Sequence, residues 1–484
     1  MVNKIKNVLK LYLKNILIST NEKKIKMGLV NLLKKIKNKT SRFRRRSYFT
    51  TPSHHMGSFT IPKMSEILGN SFYNCDVSEI EGIKNFEGPS KQLIHSQENA
   101  SEVYGTKATF YLTNGSTSGV VASMLTVLRP YDKVLVARNC HKSVYSGLVL
   151  TNALPIWVMP NYNEDWGIYE YVNPNIIEQV LELHPDIKAI IITSPSYYGA
   201  LCDVEKIARI AREKNVYLIV DEAHGALYKF DKTIGTSAVD VQADFCIQSL
   251  HKTAGGVNPT ALLHVGFESN IDINDVQKSL DLITTSSPSY PMLASIEATV
   301  DFLNSKKGKA KIATLVDDVE RFKKRLLKLK NVHIYSQNND ITKILIKIDG
   351  FSGFEISDIL LNRFNIEDEL ANEKSILFVC GIGTTSRKLN KLYGALKKIS
   401  RMKPKPKDCE IEREKQVYPI MKYTPFMAKL LHGVEKPLIE ALGCVSKSAV
   451  IPYPPASPLL LPGEVIQKWH IDNIDEEFIE VVAE

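Results

Sequence analysis

Apolar positions along this chain change their spacing twice. Over residues 1–46 they fall at loosely helical intervals among lysines, with Val8, Leu9, Leu11, Leu13, Ile16 and Leu17 setting the pattern. From residue 47 to about 100 no period is apparent. From about 105 to 265, short β-rich runs alternate with helical stretches. Runs at 109–113, 133–137, 154–158, 188–193, 216–220, 244–248 and 260–265 read as strands, and 117–128, 175–183 and 203–214 as helices. This alternation predicts βαβ units and a mostly parallel, twisted sheet, the α/β class. Ligands of such sheets sit beyond the C-terminal strand ends, so chemistry is expected in the loops after 113, 137, 193, 220 and 248.

Residues 300–400 predict a smaller α/β unit, with a basic amphipathic helix at 312–330, strands near 343–348 and 376–380, and a helix at 386–400. KPKPKD at 403–408 reads as a linker, and the tail adds a helix and the proline-rich IPYPPASPLLLPGE. The expected divisions are a basic extension at 1–46, a large domain with its N-terminal segment at 47–300, a small domain at 301–402, and a linker with C-terminal domain at 403–484.

The 484 residues are 44% hydrophobic and 24% charged, an ordinary globular balance that excludes disorder or a fibrous repeat as the main architecture. The net charge of +9 changes meaning once divided. Residues 1–46 hold 15 Lys/Arg and one acid, Glu22, while the remainder carries 47 Lys/Arg against 52 Asp/Glu. The body is mildly acidic and offers no electrostatic argument for nucleic acid. The leader itself reads as a plain extension as readily as the two other readings together, an organelle transit peptide or a membrane-surface helix. Lys10 and Lys14 break its apolar run, unlike a secretory signal. Seven cysteines lie dispersed without a CxxC pair, which suits a reducing compartment, such as the cytoplasm, and suggests no zinc site.

Three stretches carry candidate chemistry. In IVDEAHGA at 219–226 an apolar run ends in Asp221, a carboxylate at a strand end that needs a cationic partner or a raised pKa. In QSLHKTAGG at 248–256, Lys252 stands between His251 and two glycines, a setting that suits a Schiff-base lysine beside hydroxyl and imidazole phosphate donors. In LTNGSTSG at 112–119, Gly115, Ser116 and Thr117 open an apolar helix, which presents free N–H groups to an anion. A plain Ser/Thr N-cap fits that stretch equally. No GxxxxGK[ST] precedes the acid, so a nucleotide-hydrolysing P-loop is not supported. A phosphate cradle, an acid and a lysine in this order suit pyridoxal phosphate.

These stretches resemble the ornithine/lysine/arginine decarboxylases of the aspartate-aminotransferase fold, pyridoxal-phosphate fold type I. The likeness is carried by TNGSTSG (113–119), ARNCHKSVYSGLVLTNALP (137–155), TSPSYYGALCD (193–203), VDEAHGA (220–226), QSLHKT (248–253), TTSSPSYPMLASIEA (284–298) and PYPPASPLLLPGE (452–464). It runs from Phe49 to Glu464 in matching order. The resemblance implies a mostly parallel large domain, a smaller C-terminal α/β region, and decarboxylation of arginine or lysine, less readily ornithine, to CO2 and a polyamine-type amine. It implies Lys252 as the Schiff-base lysine, Asp221 at the pyridinium nitrogen, and Ala223 and His141 on the two ring faces. Ser116, Thr117, Ser249 and His251 would hold the phosphate, with His251 or Lys252 returning a proton. Thr285 would reach the cofactor of the neighbouring subunit in a homodimer with a shared active site. His224 and Glu464 are candidates on the substrate side.

Edge motifs depart from the family's usual form. TPGHK is Thr51-Pro52-Ser53-His54-His55, PPGIP is Pro454-Pro455-Ala456-Ser457-Pro458, and GRxSAE is Gly443-Cys444-Val445-Ser446-Lys447-Ser448. A glutamine common after the lysine is Pro259. Lost acid and the gained Lys447 weigh against a dicationic substrate. Two other readings therefore stand beside the decarboxylase: transamination, oxidation or another amino acid on the same scaffold, and a non-catalytic homologous subunit.

Overall fold

A computed structural model describes residues 28–38, 46–78, 90–337, 339–404, 416–452 and 457–483. The chain divides into two compact units, residues 1–96 and 97–484.

In the first unit the helix Leu29–Lys37 buries Leu29, Leu32, Leu33 and Ile36 and exposes Lys34, Lys35 and Lys37. The spacing of those four residues makes one apolar stripe, and here it is covered by protein. The apolar leader residues 8–17 lie outside the described residues. The TPSHH segment forms a tight turn in which His55 and Met56 take positive φ, and His54 Nε2 lies 3.2 Å from Asp76 Oδ2. Among the described residues no helix is long and apolar enough to cross a membrane.

The second unit is built on seven strands: β1 (Ala108–Leu112), β2 (Lys133–Ala137), β3 (Leu154–Val158), β6 (Ile187–Thr193), β7 (Tyr217–Asp221), β8 (Phe245–Ser249) and β9 (Ala261–Val265). A short hairpin, β4 (Tyr162–Asn163) with β5 (Ile168–Tyr169), stands outside the sheet. The order is β1-β9-β8-β7-β6-β2-β3. β9 runs antiparallel to both neighbours, and every other pairing is parallel. These strands are near-continuous apolar runs because helices cover both faces. Val134, Val136, Ile191, Ile219, Ile247 and Leu263 are wholly buried in the core against Val120, Met124, Val144 and Leu148 of the helices Gly115–Val127 and Lys142–Thr151. Six strands thus end on one edge, as the alternation predicts, while the reversed β9 carries no mark in its apolar pattern.

A second sheet, antiparallel throughout, has the order β10-β11-β13-β12: β10 (Val332–Ile334), β11 (Lys343–Ile348), β12 (Leu370–Ala371) and β13 (Ile376–Val379). The helix Lys306–Leu326 starts six residues before the predicted bound because Ser305 caps it, its hydroxyl accepting from Gly308 N. A helix at Gly353–Phe364, closed by a Ser352–Glu355 capping box, has no counterpart in the sequence reading. Near the C-terminus β14 (Gly433–Pro437) pairs with β15 (Phe478–Val482).

One ion pair ties the tail to the main sheet. Arg138, the residue after β2, is fully enclosed and donates to Glu464 from both Nη1 (2.6 Å) and Nη2 (2.9 Å). Nη2 also donates to Leu459 O, Leu461 N donates to Glu464 Oε2, and the guanidinium stacks 4.6 Å from the Trp157 ring. Removing one member of such a pair leaves the other charge buried without compensation. Glu464→Ala should therefore lower the unfolding free energy by about 3–5 kcal/mol in urea titration, and adding Arg138→Met should recover part of that loss.

Candidate active site

The parallel strands of the main sheet deliver the candidate residues to their common C-terminal edge. β7 ends in Asp221, opposite Thr193 of β6 in the ladder, and β8 ends in Ser249, which runs into the short helix Leu250–Thr253 carrying His251 and Lys252. β2 is followed by Arg138-Asn139-Cys140 and then His141 at the start of the next helix. β1 leads to Gly115 at the head of the long helix.

Asp221 is buried, and its Oδ1 accepts from Ala223 N at 3.1 Å. Among the described residues no lysine or arginine forms an ion pair with it. Its charge still reaches its neighbours: it opposes the fall in the proton affinity of Lys252 and of His141 that burial causes. His141 Nδ1 accepts from Ser143 N at 3.2 Å, so its ring orientation is fixed by its own helix. His251 Nδ1 donates to Thr260 O at 3.1 Å, which leaves Nε2 as the free nitrogen, and burial lowers its proton affinity as well.

Two places at this edge carry unused donors. Ser249 Oγ is wholly buried and has no hydrogen-bond partner. The helix Gly115–Val127 has Asn114 at its N-cap, with no side-chain cap. The plain Ser/Thr cap is thereby excluded, since Ser116 and Thr117 lie inside the first turn and the first N–H groups are left uncapped. Gly115 takes φ +72°, and a Cβ there would come within 3.8 Å of Pro259, so the glycine serves the turn.

Three further residues join this cluster without having been foreseen from sequence. Lys343, first residue of β11 in the second sheet, has 0% exposure, and its Nζ lies 2.6 Å from His224 Nδ1. The other ring nitrogen, Nε2, lies 3.1 Å from Lys252 Nζ. Burial and both lysines hold His224 well below its ordinary pKa. Tyr197 sets its ring edge-on to His224 at 5.2 Å and donates to Glu369 Oε1 at 2.5 Å. Glu369 is an exposed carboxylate whose charge favours the protonated forms of Lys252 and Lys343. A lysine opening an apolar strand reads as a solvated strand end, and its 119-residue separation from His224 hides the contact. Tyr197 also lines an adjoining cavity of about 460 Å³ with Asn139, Tyr169, Tyr198 and Trp469.

Two expected residues are not gathered here. Glu464 has both oxygens committed to Arg138 and 0% exposure, so it has no oxygen to offer a substrate. Thr285 is exposed, its hydroxyl engaged with Ser287 in a local turn. Lys447, expected to repel a cationic substrate, is neutralised by Glu480 of β15 at 3.1 Å.

Several known proteins are similar to this chain. The family profile described as Orn/Lys/Arg decarboxylase, major domain, matches residues 34–345. An uncharacterized protein, YaaO, of Bacillus subtilis is 31% identical over 89% of this chain and 91% of its own length. An arginine decarboxylase of Bacillus anthracis is 28% identical over 88% and 89%. Among solved structures, the Francisella novicida lysine decarboxylase LdcF superposes with a TM-score of 0.79 at 19% identity, covering 94% of this chain and 81% of that one. The structural likeness shows the fold, an aspartate-aminotransferase-like α/β arrangement.

Glu222, beside Asp221, faces the other way into a sealed network. It accepts from Ser237 Oγ, Ala238 N and Gln248 Nε2, and Gln248 Oε1 in turn meets His264. Burial pushes the Glu222 carboxyl from 4.5 up to about 7 despite those three donors. A folded-state pKa above the unfolded one stabilises fully below about pH 4.5, and that contribution disappears as pH rises through about 7. Relative to Glu222→Gln, the natural chain should lose stability over that window in urea titrations at stepped pH. A difference that stays flat or runs the other way would remove the buried proton from Glu222.

Proposed function

The chain belongs to the Orn/Lys/Arg decarboxylase family, and from that premise we propose that it is a pyridoxal-phosphate-dependent decarboxylase of a basic amino acid, arginine or lysine ahead of ornithine. The observation that carries this reading is the pairing, on one strand edge, of a buried carboxylate and a lysine held at an imidazole, beside a serine hydroxyl, where among the described residues the carboxylate has no ion-pair partner and the hydroxyl nothing to bond. A buried acceptor and a buried donor left open imply a ligand that supplies the complement. The pyridinium and phosphate of pyridoxal phosphate do so.

When bound, the cofactor supplies the electron sink that decarboxylation requires. Lys252 provides the amine for covalent attachment. Asp221 would keep the ring nitrogen protonated by its charge, and Ala223 and His141 would hold the ring. Ser116, Thr117, Ser249 and the uncapped N–H groups hold the phosphate. His251 stands beside them, its Nδ1–H given to Thr260 O and its Nε2 left for the phosphate side. Thr285 serves the cofactor of a neighbouring subunit in a homodimer. The substrate's side-chain cation is assigned to Glu369, which Tyr197 orients, in place of Glu464.

The direct test is an amino-acid panel on the purified holoenzyme, with CO2, amine product and the visible spectrum followed together. Stoichiometric CO2 with agmatine or cadaverine supports the proposal; a spectral change with a keto acid and no CO2 assigns the chain to transamination or oxidation. No spectral change with any amino acid favours a silent subunit. Asp221→Ala should nearly abolish turnover with cofactor still bound, and full activity in that variant would overturn the assignment. Glu369→Gln should raise KM for the basic substrate roughly tenfold with little change in kcat.

A further inference from the structure

His224 is enclosed between two amines, and its proton count is constrained by geometry alone. An ammonium only donates, an imidazolium only donates, and a neutral imidazole offers one donor and one acceptor. With Lys343 Nζ at 2.6 Å from Nδ1 and Lys252 Nζ at 3.1 Å from Nε2, both contacts are hydrogen bonds only when at least one lysine is the free amine, and with the other an ammonium the ring between them is neutral. The shorter contact marks the charge-assisted bond, which places the proton on Lys343. Lys343 has 0% exposure, and the Asp340 carboxylate beside it opposes the loss of charge that burial favours; that carboxylate is itself held by Thr342 N and Oγ1 and by Tyr228 Oη. Lys252 is partly buried, with Asp221 and the exposed Glu369 favouring its proton.

We propose that Lys343 is a positioning residue that, through His224, holds Lys252 as the neutral amine. Lys343 donates to Nδ1, which fixes the Nε2–H tautomer, and Nε2–H donates to the lone pair of Lys252. The inference rests on Lys252 being the lysine that takes the cofactor. It adds a residue from the second sheet to the preparation of that amine. The other groups facing the trio are His141 and His251 toward His224, and Cys380 toward Lys343, while Lys323 faces Asp340. Burial lowers the proton affinity of both lysines, Lys343 to about 8.

The test uses the full chain stripped of cofactor. Trace reductive methylation with formaldehyde and cyanoborohydride is followed at Lys252 by mass spectrometry across the ordinary lysine range, about pH 6 to about pH 11. The natural chain should give a labelling midpoint well below the ordinary value of about 10.4. Lys343→Met and His224→Asn should each raise it by about one unit or more, cutting labelling near neutral pH about tenfold, with no further rise in the double variant. A natural midpoint near 10.4 overturns the proposal without any variant. A rise in Lys343→Met with none in His224→Asn overturns the relay and leaves only charge repulsion through space. If the variants fail to fold, nitrogen-15 shifts of His224 in the natural chain decide: Nδ1 unprotonated and Nε2 protonated supports the relay, and the reverse tautomer overturns it. Neither readout involves CO2 release, so failure here and failure of the decarboxylase reading are distinguishable.

Discussion

The excess of proton-binding groups around one buried carboxylate is the constraint on which the site depends. Asp221 stands at the end of β7, and Lys252, His141, His224, His251 and Lys343 are arranged around it or linked through one another. Burial disfavours every charged form here, and like charges this close disfavour one another further. The protein meets this by keeping imidazoles neutral and by sharing protons through hydrogen bonds. It also leaves donors without partners at Ser249 and at the head of the helix Gly115–Val127. A site biased toward positive charge and unused N–H and O–H groups is matched by a phosphate dianion. On the proposed reading, a pyridinium would answer the remaining carboxylate, and the two ends of one cofactor would relieve opposite deficits at a single strand edge.

The alternation of strands along the chain makes this edge predictable, because a parallel sheet sends every C-terminal end to the same side. Hence Asp221, Ser249, Lys252 and His141 were readable as neighbours although 111 positions separate His141 from Lys252 in the sequence. The reversed direction of β9 was not readable, since burial on both faces gives parallel and antiparallel strands the same apolar run. Lys343 and Glu369 were also hidden. They come from the second sheet and its flank, and no spacing within a chain reports how two sheets meet. Their signal lies only in electrostatics that exist once the fold has formed.

Glu464 shows the opposite error. As a glutamate after a proline-rich stretch it has the look of a free loop acid, and the resemblance points it toward substrate. Its nearest cation is instead Arg138, immediately after β2. Two buried charges in bidentate contact, with Leu461 N and Leu459 O completing their bonds, fix the tail segment against the strand edge and so shape the cavity wall that Tyr169 and Tyr197 complete. Of the altered edge motifs, Ser457 and Pro458 line that cavity. Lys447, the most suspicious of them, brings no net charge because Glu480 answers it.

β7 itself shows why the carboxylate stays where it is. Successive residues at a strand end point to opposite sides, so Asp221 and Glu222 divide the labour. Asp221 looks into the site. Glu222 looks into a closed network in which Ser237, the Ala238 amide and Gln248 bind both its oxygens, while Gln248 reaches His264 of β9 and His264 reaches Thr109 of β1. That chain of bonds crosses four strands, including the one that runs backwards, and ties the end of β7 to β8, β9 and β1 beyond the backbone ladder. An acid whose charge must act on a bound group is best held still, since the value of a charge falls with distance. The neighbour's burial costs stability above its raised pKa. In return, Asp221 is carried on a strand end that is held from the far side.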